Sequence, residues 1–301
     1  QIGVSGGAVE VVNTWKRGMV EEKKKKRGAE EDEDEREVVK FVQVSCGENF
    51  TCLLSSNGHL YSGGTSEFGV LGNGVTGEHF VTASKIAFAN CYRFERREMF
   101  VQPLGAVSGM SVGTDEKTAP ILEEISLSSI SCGKNHTVAV EAPKGGASST
   151  TPRRVFSWGS GDYGCLGHGV QSDVYFPRLV TTFSSPVFSS NKVVSAHCGA
   201  QCSMVLTERG HVYYWGKHRQ GTEAQMRPAI VDALASNGHV VTTCSGGNQT
   251  VFCCTSMGVT VSWGHGNHGE LGYGTGQGKS SAKPKFVAGG GKCLGEQGSC
   301  G

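Results

Sequence analysis

Cysteine and histidine are the side chains of this chain most able to do chemistry, and their spacing limits what they can do. Twelve cysteines and ten histidines are spread along 301 residues. Cys253-Cys254, with His265 and His268 downstream, is the stretch that invites a metal reading. Zinc ligands usually come as tight Cys-x2-Cys or His-x3-His pairs converging on one point. Cys253 and Cys254 sit on an alternating strand pattern, so their side chains face opposite ways. Neither a metal nor a cofactor is expected. His136, in Cys132-Gly133-Lys134-Asn135-His136-Thr137, reads as a residue bonding a neighbouring strand rather than as a base. Gly159-Ser160-Gly161 belongs to a turn and not to a nucleotide fingerprint, because no helix pattern follows it. There is no P-loop and no His-Glu-x-x-His helix. With no catalytic constellation, the chain reads as non-enzymatic and as taking no small-molecule substrate.

Charge offers a second kind of chemistry. Lys23, Lys24, Lys25, Lys26 and Arg27 form a basic run, followed at once by the acidic run Glu30 to Glu35. Such a block reads as a solvated, disordered insertion over residues 16–37. Its basic half could also serve as a nuclear localisation signal or a chromatin contact, weakened by the acidic neighbour. A second insertion is expected over 89–124, carrying Arg93, Arg96 and Arg97. Long loops on rigid scaffolds often carry binding, so these arginines and the 23–27 run are the candidate partner-binding residues. Net charge is +1, which gives no whole-protein basic field for nucleic acid. No run of 18 apolar residues exists, so no membrane span is expected.

These residues need elements to hold them, and the elements repeat. Glycine supplies 45 residues and proline only 8, as many turns between short strands would require. Gly47, Gly133, Gly199 and Gly247 each open a similar segment. Sixteen residues separate Gly47 from Gly63, Gly199 from Trp215 and Gly247 from Trp263; Gly133 to Trp158 is longer by a polar loop over 144–151. Leu71, Leu166 and Leu271 each lie eight residues beyond Gly63, Trp158 and Trp263, in Gly-x-Leu-Gly turns. The third copy lacks that turn and has Gly221 to Met226 instead. Val38 to Val44 and Thr51 to Leu54 read as strands, and Ser56-Asn57-Gly58 as the hairpin turn into His59 to Ser62. A fourth strand is expected to start at proline, as in Pro177 to Val180 or Pro228 to Val231, on an outer edge where a missing N–H costs nothing. Four strands per copy make a propeller blade. Trp158, Trp215 and Trp263 recur at one position and are assigned to packing.

Cys-Gly-x-x-His-Thr, Gly-x-Val-x-x-Trp-Gly and Gly-x-Leu-Gly resemble the regulator of chromosome condensation repeat, over roughly residues 38–287. The expected fold is all-β, an incomplete β-propeller of about four blades of a probable seven, since a full ring of this period needs about 350–400 residues. The whole chain, 1–301, is then one partial propeller. Gln1-Ile2-Gly3 resembles the tail of a Gly-x-Leu-Gly turn. Residues 288–301 read as a poorly ordered tail or the start of a next blade. The resemblance points to the family's mitotic branch. It implies an intracellular, nuclear or cytoskeletal protein that binds a small GTPase of the Rac, Arf or Ran type, with chromatin or microtubules as further partners. Guanine nucleotide exchange factor activity would act through binding alone. The alternatives are a propeller module of a larger enzyme, such as a HECT-type ubiquitin ligase, and a scaffold without GTPase contact.

Overall fold

The computed structural model describes residues 21–22, 37–74, 76, 91–97, 125–144, 150–217, 223–274 and 280–287. A two-stranded pair comes first, β1 (Glu21–Glu22) with β2 (Glu37–Val38). Four antiparallel four-stranded sheets follow, each built from strands consecutive in sequence. Blade 1 holds β3 (Phe41–Cys46), β4 (Phe50–Ser55), β5 (Leu60–Gly64) and β6 (Cys91–Arg97). Blade 2 holds β7 (Leu127–Cys132), β8 (His136–Glu141), β9 (Val155–Gly159) and β10 (Val174–Leu179). Blade 3 holds β11 (Val193–Cys198), β12 (Cys202–Thr207), β13 (Val212–Gly216) and β14 (Gln225–Ile230). Blade 4 holds β15 (Val241–Gly246), β16 (Thr250–Thr255), β17 (Thr260–Gly264) and β18 (Ser281–Phe286). Among the described residues, no helix is long and apolar enough to cross a membrane.

The sheets pack face to face, and the core lies between them. Each hydrophobic cluster draws on two successive blades. Phe50, Leu54 and Leu71 meet Ile130, Phe156 and Trp158 at the first joint. Val140, Phe183 and Phe188 meet Val205 and Trp215 at the second. Met204 and Leu206 meet Val251, Cys253 and Trp263 at the third. Alternation explains this arrangement: both faces of a middle strand need cover, so β8 is buried along its whole length. The first strand of each blade lies against the first strand of the next, which makes it the inner strand.

Three strand boundaries differ from the sequence reading. The Val38 to Val44 run is split, since Val38 ends β2 and the blade begins at Phe41. Pro177 and Pro228 lie inside β10 and β14, not at their starts. Both strands are outer edges with a register shift, at Val174/Arg178 and between Ala229 and Gln225, and an edge with a bulge tolerates a residue without an N–H. Residues 91–97, assigned to an insertion, are the outer strand of blade 1, with Arg96 opposite Tyr61 and Arg97 opposite Leu60.

Candidate binding surfaces

A propeller offers two faces, and the strand directions assign the loops to them. The turns at Gly47, Gly133, Gly199 and Gly247 gather around the mouth of the axis between the inner strands. Backbone bonds link them in series: Glu48 N–H donates to the Lys134 carbonyl at 2.9 Å, Lys134 N–H to Ala200 at 3.0 Å, and Ala200 N–H to Gly247 at 3.0 Å. Glu48 and Lys134 add an ion pair at 3.4 Å, about half exposed on both sides and therefore worth little. The Gly-x-Leu-Gly turns sit on this same face, because Ser160 N–H donates to the Asn135 carbonyl. Phe68 and Tyr163 occupy equivalent places in two of these turns, both with φ +56° and both partly exposed. The opposite face carries the hairpin turns and the ends of the long connections, including the ends of β6 and β8.

The repeat residues hold the joints. Trp158 Nε1–H donates to the Val70 carbonyl of the preceding blade at 3.0 Å, and Trp215 Nε1–H to Cys165 at 2.7 Å. Gly167, at φ +76°, lies over the Trp215 indole, where a Cβ would stand 3.0 Å from Nε1. Leu71, Leu166 and Leu271 are buried, and the carbonyl of each accepts a serine hydroxyl from Ser62, Ser157 or Ser262 at 2.7–2.8 Å. A Cβ on Gly133 would overlap the His136 ring. His136 is fully buried and lies 2.9 Å from Ser203 Oγ in blade 3. Ser203 gives its own hydrogen to the Cys165 carbonyl at 2.7 Å, so the imidazole donates to Ser203. Burial holds the His136 pKa down to about 4, so the ring is neutral at pH 7 and is a structural donor rather than a base.

Inner strands are also zipped by side chains. Gln43 bonds both the N–H and the carbonyl of Ile130, and Ser45 Oγ accepts from Cys132 N–H. One blade on, Ser129 and Ser131 accept from Ala196 and Cys198 N–H, and the Cys198 thiol donates to the Ser131 carbonyl. Glu141, buried at the end of β8, binds Arg154 through Nε at 2.9 Å and Nη2 at 2.6 Å. Burial alone would raise its pKa, but the hydrogen bonds from Arg154 and Lys144 outweigh that and hold the carboxyl below its ordinary value.

Of the repeat residues singled out from sequence, Leu71, Trp158, Trp215 and Trp263 lie at the joints, while Gly47, Gly133, Gly199 and Gly247 line the mouth of the axis. The candidate partner-binding residues divide. Arg93, Arg96 and Arg97 lie on an edge strand whose end reaches the face opposite the axial mouth. Lys23, Lys24, Lys25, Lys26 and Arg27 lie outside the described residues, as do most of 16–37 and all of 98–124 and 288–301. Cys253 is directly opposite Cys244, with their sulfurs 3.3 Å apart, and His268 lies 3.8 Å from Glu270. Sequence reasoning missed the serine clamps, although Ser62, Ser157 and Ser262 share one repeat position. It also missed the Glu141–Arg154 pair.

Comparison with known proteins agrees with this architecture. The regulator of chromosome condensation (RCC1) repeat matches at residues 41–69 and 154–206. The chain is similar to the protein RCC2 homolog of Danio rerio, 33% identical over 248 residues that cover 82% of this chain and 45% of that protein. It thus spans less than half the length of that relative. It is 28% identical over 274 residues to the human E3 ubiquitin-protein ligase HERC2, covering 83% of this chain but 5% of the ligase. Among solved structures, human WBSCR16 superposes with a TM-score of 0.58 at 18% identity, covering 83% of this chain and 52% of that one. With four blades, repeat-specific joints and these matches, the chain is a regulator of chromosome condensation repeat protein.

Proposed function

We propose that this chain is a binding propeller that regulates a small GTPase, in the manner of a guanine nucleotide exchange factor, in a process tied to chromosomes, microtubules or cell division. The observation that carries this reading is the 33% identity with an RCC2 homolog across most of the chain. A propeller would promote exchange by binding the nucleotide-free GTPase best and shifting its population. That mechanism asks nothing of proton-transfer residues, in keeping with a repeat histidine held neutral by burial. Arg93, Arg96, Arg97 and the Lys23–Arg27 run are its proposed contact residues, and a Rac, Arf or Ran type GTPase its partner, inside the cell. Pull-down with nucleotide-free and GTP-loaded GTPases tests it. Selective retention of the nucleotide-free form is expected; equal or absent binding of both forms overturns it.

A second reading has its own support. The HERC2 match spans 83% of this chain and only a small part of the ligase, so the blades could be an accessory module of a larger enzyme. The full reading frame decides it: a HECT-type catalytic region downstream favours the module, and a plain propeller excludes it.

A further inference from the structure

On the face opposite the axial mouth, positive charge concentrates where blades 2 and 3 meet. The end of β8, the start of β9, the segment before β11 and the turn after β12 bring together Lys144, Arg153, Arg154, Lys192 and Arg209. Among the described residues, two carboxylates, Glu141 and Glu208, stand with these five cations. Glu141 is engaged by Arg154 and Lys144, and Glu208 by Arg153 at 3.5 Å. The local excess contrasts with the chain's overall net charge of +1.

A narrow hollow opens here, lined by Lys144, Thr151, Arg153 and Lys192 together with Pro143, Pro152 and Glu141, the last already bound by Arg154 and Lys144. Arg153 is less exposed than Lys144, with 16% of the side chain accessible against 50%. The Arg153 Nε–H is buried and has no hydrogen-bond acceptor among the described residues. A buried guanidinium N–H without an acceptor is costly, and an anionic oxygen satisfies it best. The hollow admits about one water-sized group, which suits one oxygen of a planar carboxylate better than a tetrahedral phosphate. The cations flank strands of two blades: Lys144 follows β8, Arg153 precedes β9 and Lys192 precedes β11.

We propose that the hollow between Lys144, Arg153 and Lys192 receives a carboxylate side chain from an acidic peptide segment of a partner protein. The Arg153 Nε–H would hold one oxygen of the carboxylate, and Lys144 and Lys192 would supply the surrounding field. Nothing in this depends on the GTPase reading, and its test contains no GTPase.

The test is fluorescence anisotropy of the full chain with a fluorescein-labelled peptide of alternating Glu and Asp. A Gln/Asn version and a phosphoserine version of the peptide serve as comparisons. The acidic peptide is expected to bind, and the Gln/Asn peptide about tenfold or more weaker. Lys192→Glu and Arg153→Met should each cost about tenfold, while Lys285→Glu on blade 4 should stay within about twofold. Lys192→Glu replaces a partly exposed side chain, so it keeps the test decisive if Arg153→Met fails to fold. The proposal is overturned if the Gln/Asn peptide binds equally, if Lys192→Glu and Lys285→Glu weaken binding alike, or if the phosphoserine peptide binds tighter than the carboxylate one.

Discussion

The second and third blade joints use one geometry and two chemistries. Between blades 2 and 3, a polar chain crosses the interface: His136 donates to Ser203, Ser203 to the Cys165 carbonyl, and Trp215 to that same carbonyl. Between blades 3 and 4 the corresponding residues are Cys202, Val251 and Trp263, and the sequence after Trp215 lacks the Gly-x-Leu-Gly pattern. The inner strands differ in the same sense. Ser131 and Cys198 zip the second joint, whereas His197 and Gly246 hold their places at the third. Gly246 lies flush on blade 3, where a Cβ would stand 2.5 Å from Gly199 N. His197 bonds Ser195 in its own strand at 2.9 Å. Among the described residues, close apolar packing is seen at the third joint, and packing plus directed hydrogen bonds at the second. The backbone link is common to both, so ring geometry does not require the side-chain clamps. The clamps specify the angle and register of one blade on the next.

Trp215→Ala should produce the largest difference. It empties a fully buried indole site and removes a donor, so about 3–5 kcal/mol of stability should be lost. Urea melts followed by circular dichroism measure it. A loss below that of Trp263→Ala would mean that the polar chain contributes nothing at the second joint.

Acid should act next in size. The His136 pKa is about 4 when folded, against an unperturbed value near 6.5. The folded state binds fewer protons than the unfolded state between those values. Stability is therefore complete above about pH 6.5, falls as pH drops towards 4, and changes no further from this group below that. The contribution is at most about 3 kcal/mol. Blade 1 carries Phe50 at the equivalent place, its ring against Gly47 as the His136 ring lies against Gly133. His136→Phe should therefore fold and flatten part of the slope. The slope left over belongs to His168 and His197, which burial also holds to about 4. An unchanged slope in His136→Phe would show that His136 is charged in the fold.

Exchanging the chemistry of the joints should have effects of about 1–3 kcal/mol. Ser203→Ala removes the hydroxyl that His136 bonds in a dry interior. Val251→Ser places a hydroxyl among the apolar side chains of the third joint. Both should destabilise, although they move in opposite directions chemically. If Val251→Ser is neutral in urea melts, the third joint has a hidden acceptor and the contrast fails.

The joints were the legible part of the sequence because they depend on residues that admit no substitute. A left-handed Gly167 over an indole and a Gly133 beneath an imidazole leave spaced glycines and tryptophans in the chain. The serine clamps were harder to read. A serine has the same appearance in a loop and in a joint until its acceptor is known, and the Leu carbonyls it finds lie nine residues further on. β6 was hidden by its composition: Cys91-Tyr92-Arg93-Phe94-Glu95-Arg96-Arg97 alternates, but its charges suggested a loop and no proline marked it as an edge. The cationic hollow was not legible at all. It needs four segments from two blades, and only their packing brings Lys144, Arg153 and Lys192 together.

The smallest predicted effect isolates a single hydrogen bond. Trp215→Phe and Trp263→Phe remove similar volume from equivalent places, so their packing losses should largely cancel on comparison. Trp215→Phe also loses the indole N–H that donates to the Cys165 carbonyl at 2.7 Å. Ser203 continues to donate to that carbonyl, so the acceptor is not orphaned and the difference should be modest. Trp215→Phe should cost about 1 kcal/mol more than Trp263→Phe in urea melts. Repeating the pair in a Ser203→Ala background removes the second donor. The gap should then widen, because Trp215→Phe now leaves the Cys165 carbonyl buried and unbonded. A gap that stays constant across the two backgrounds would show that the two donors act independently, and that the second joint is a set of separate bonds rather than a coupled clamp.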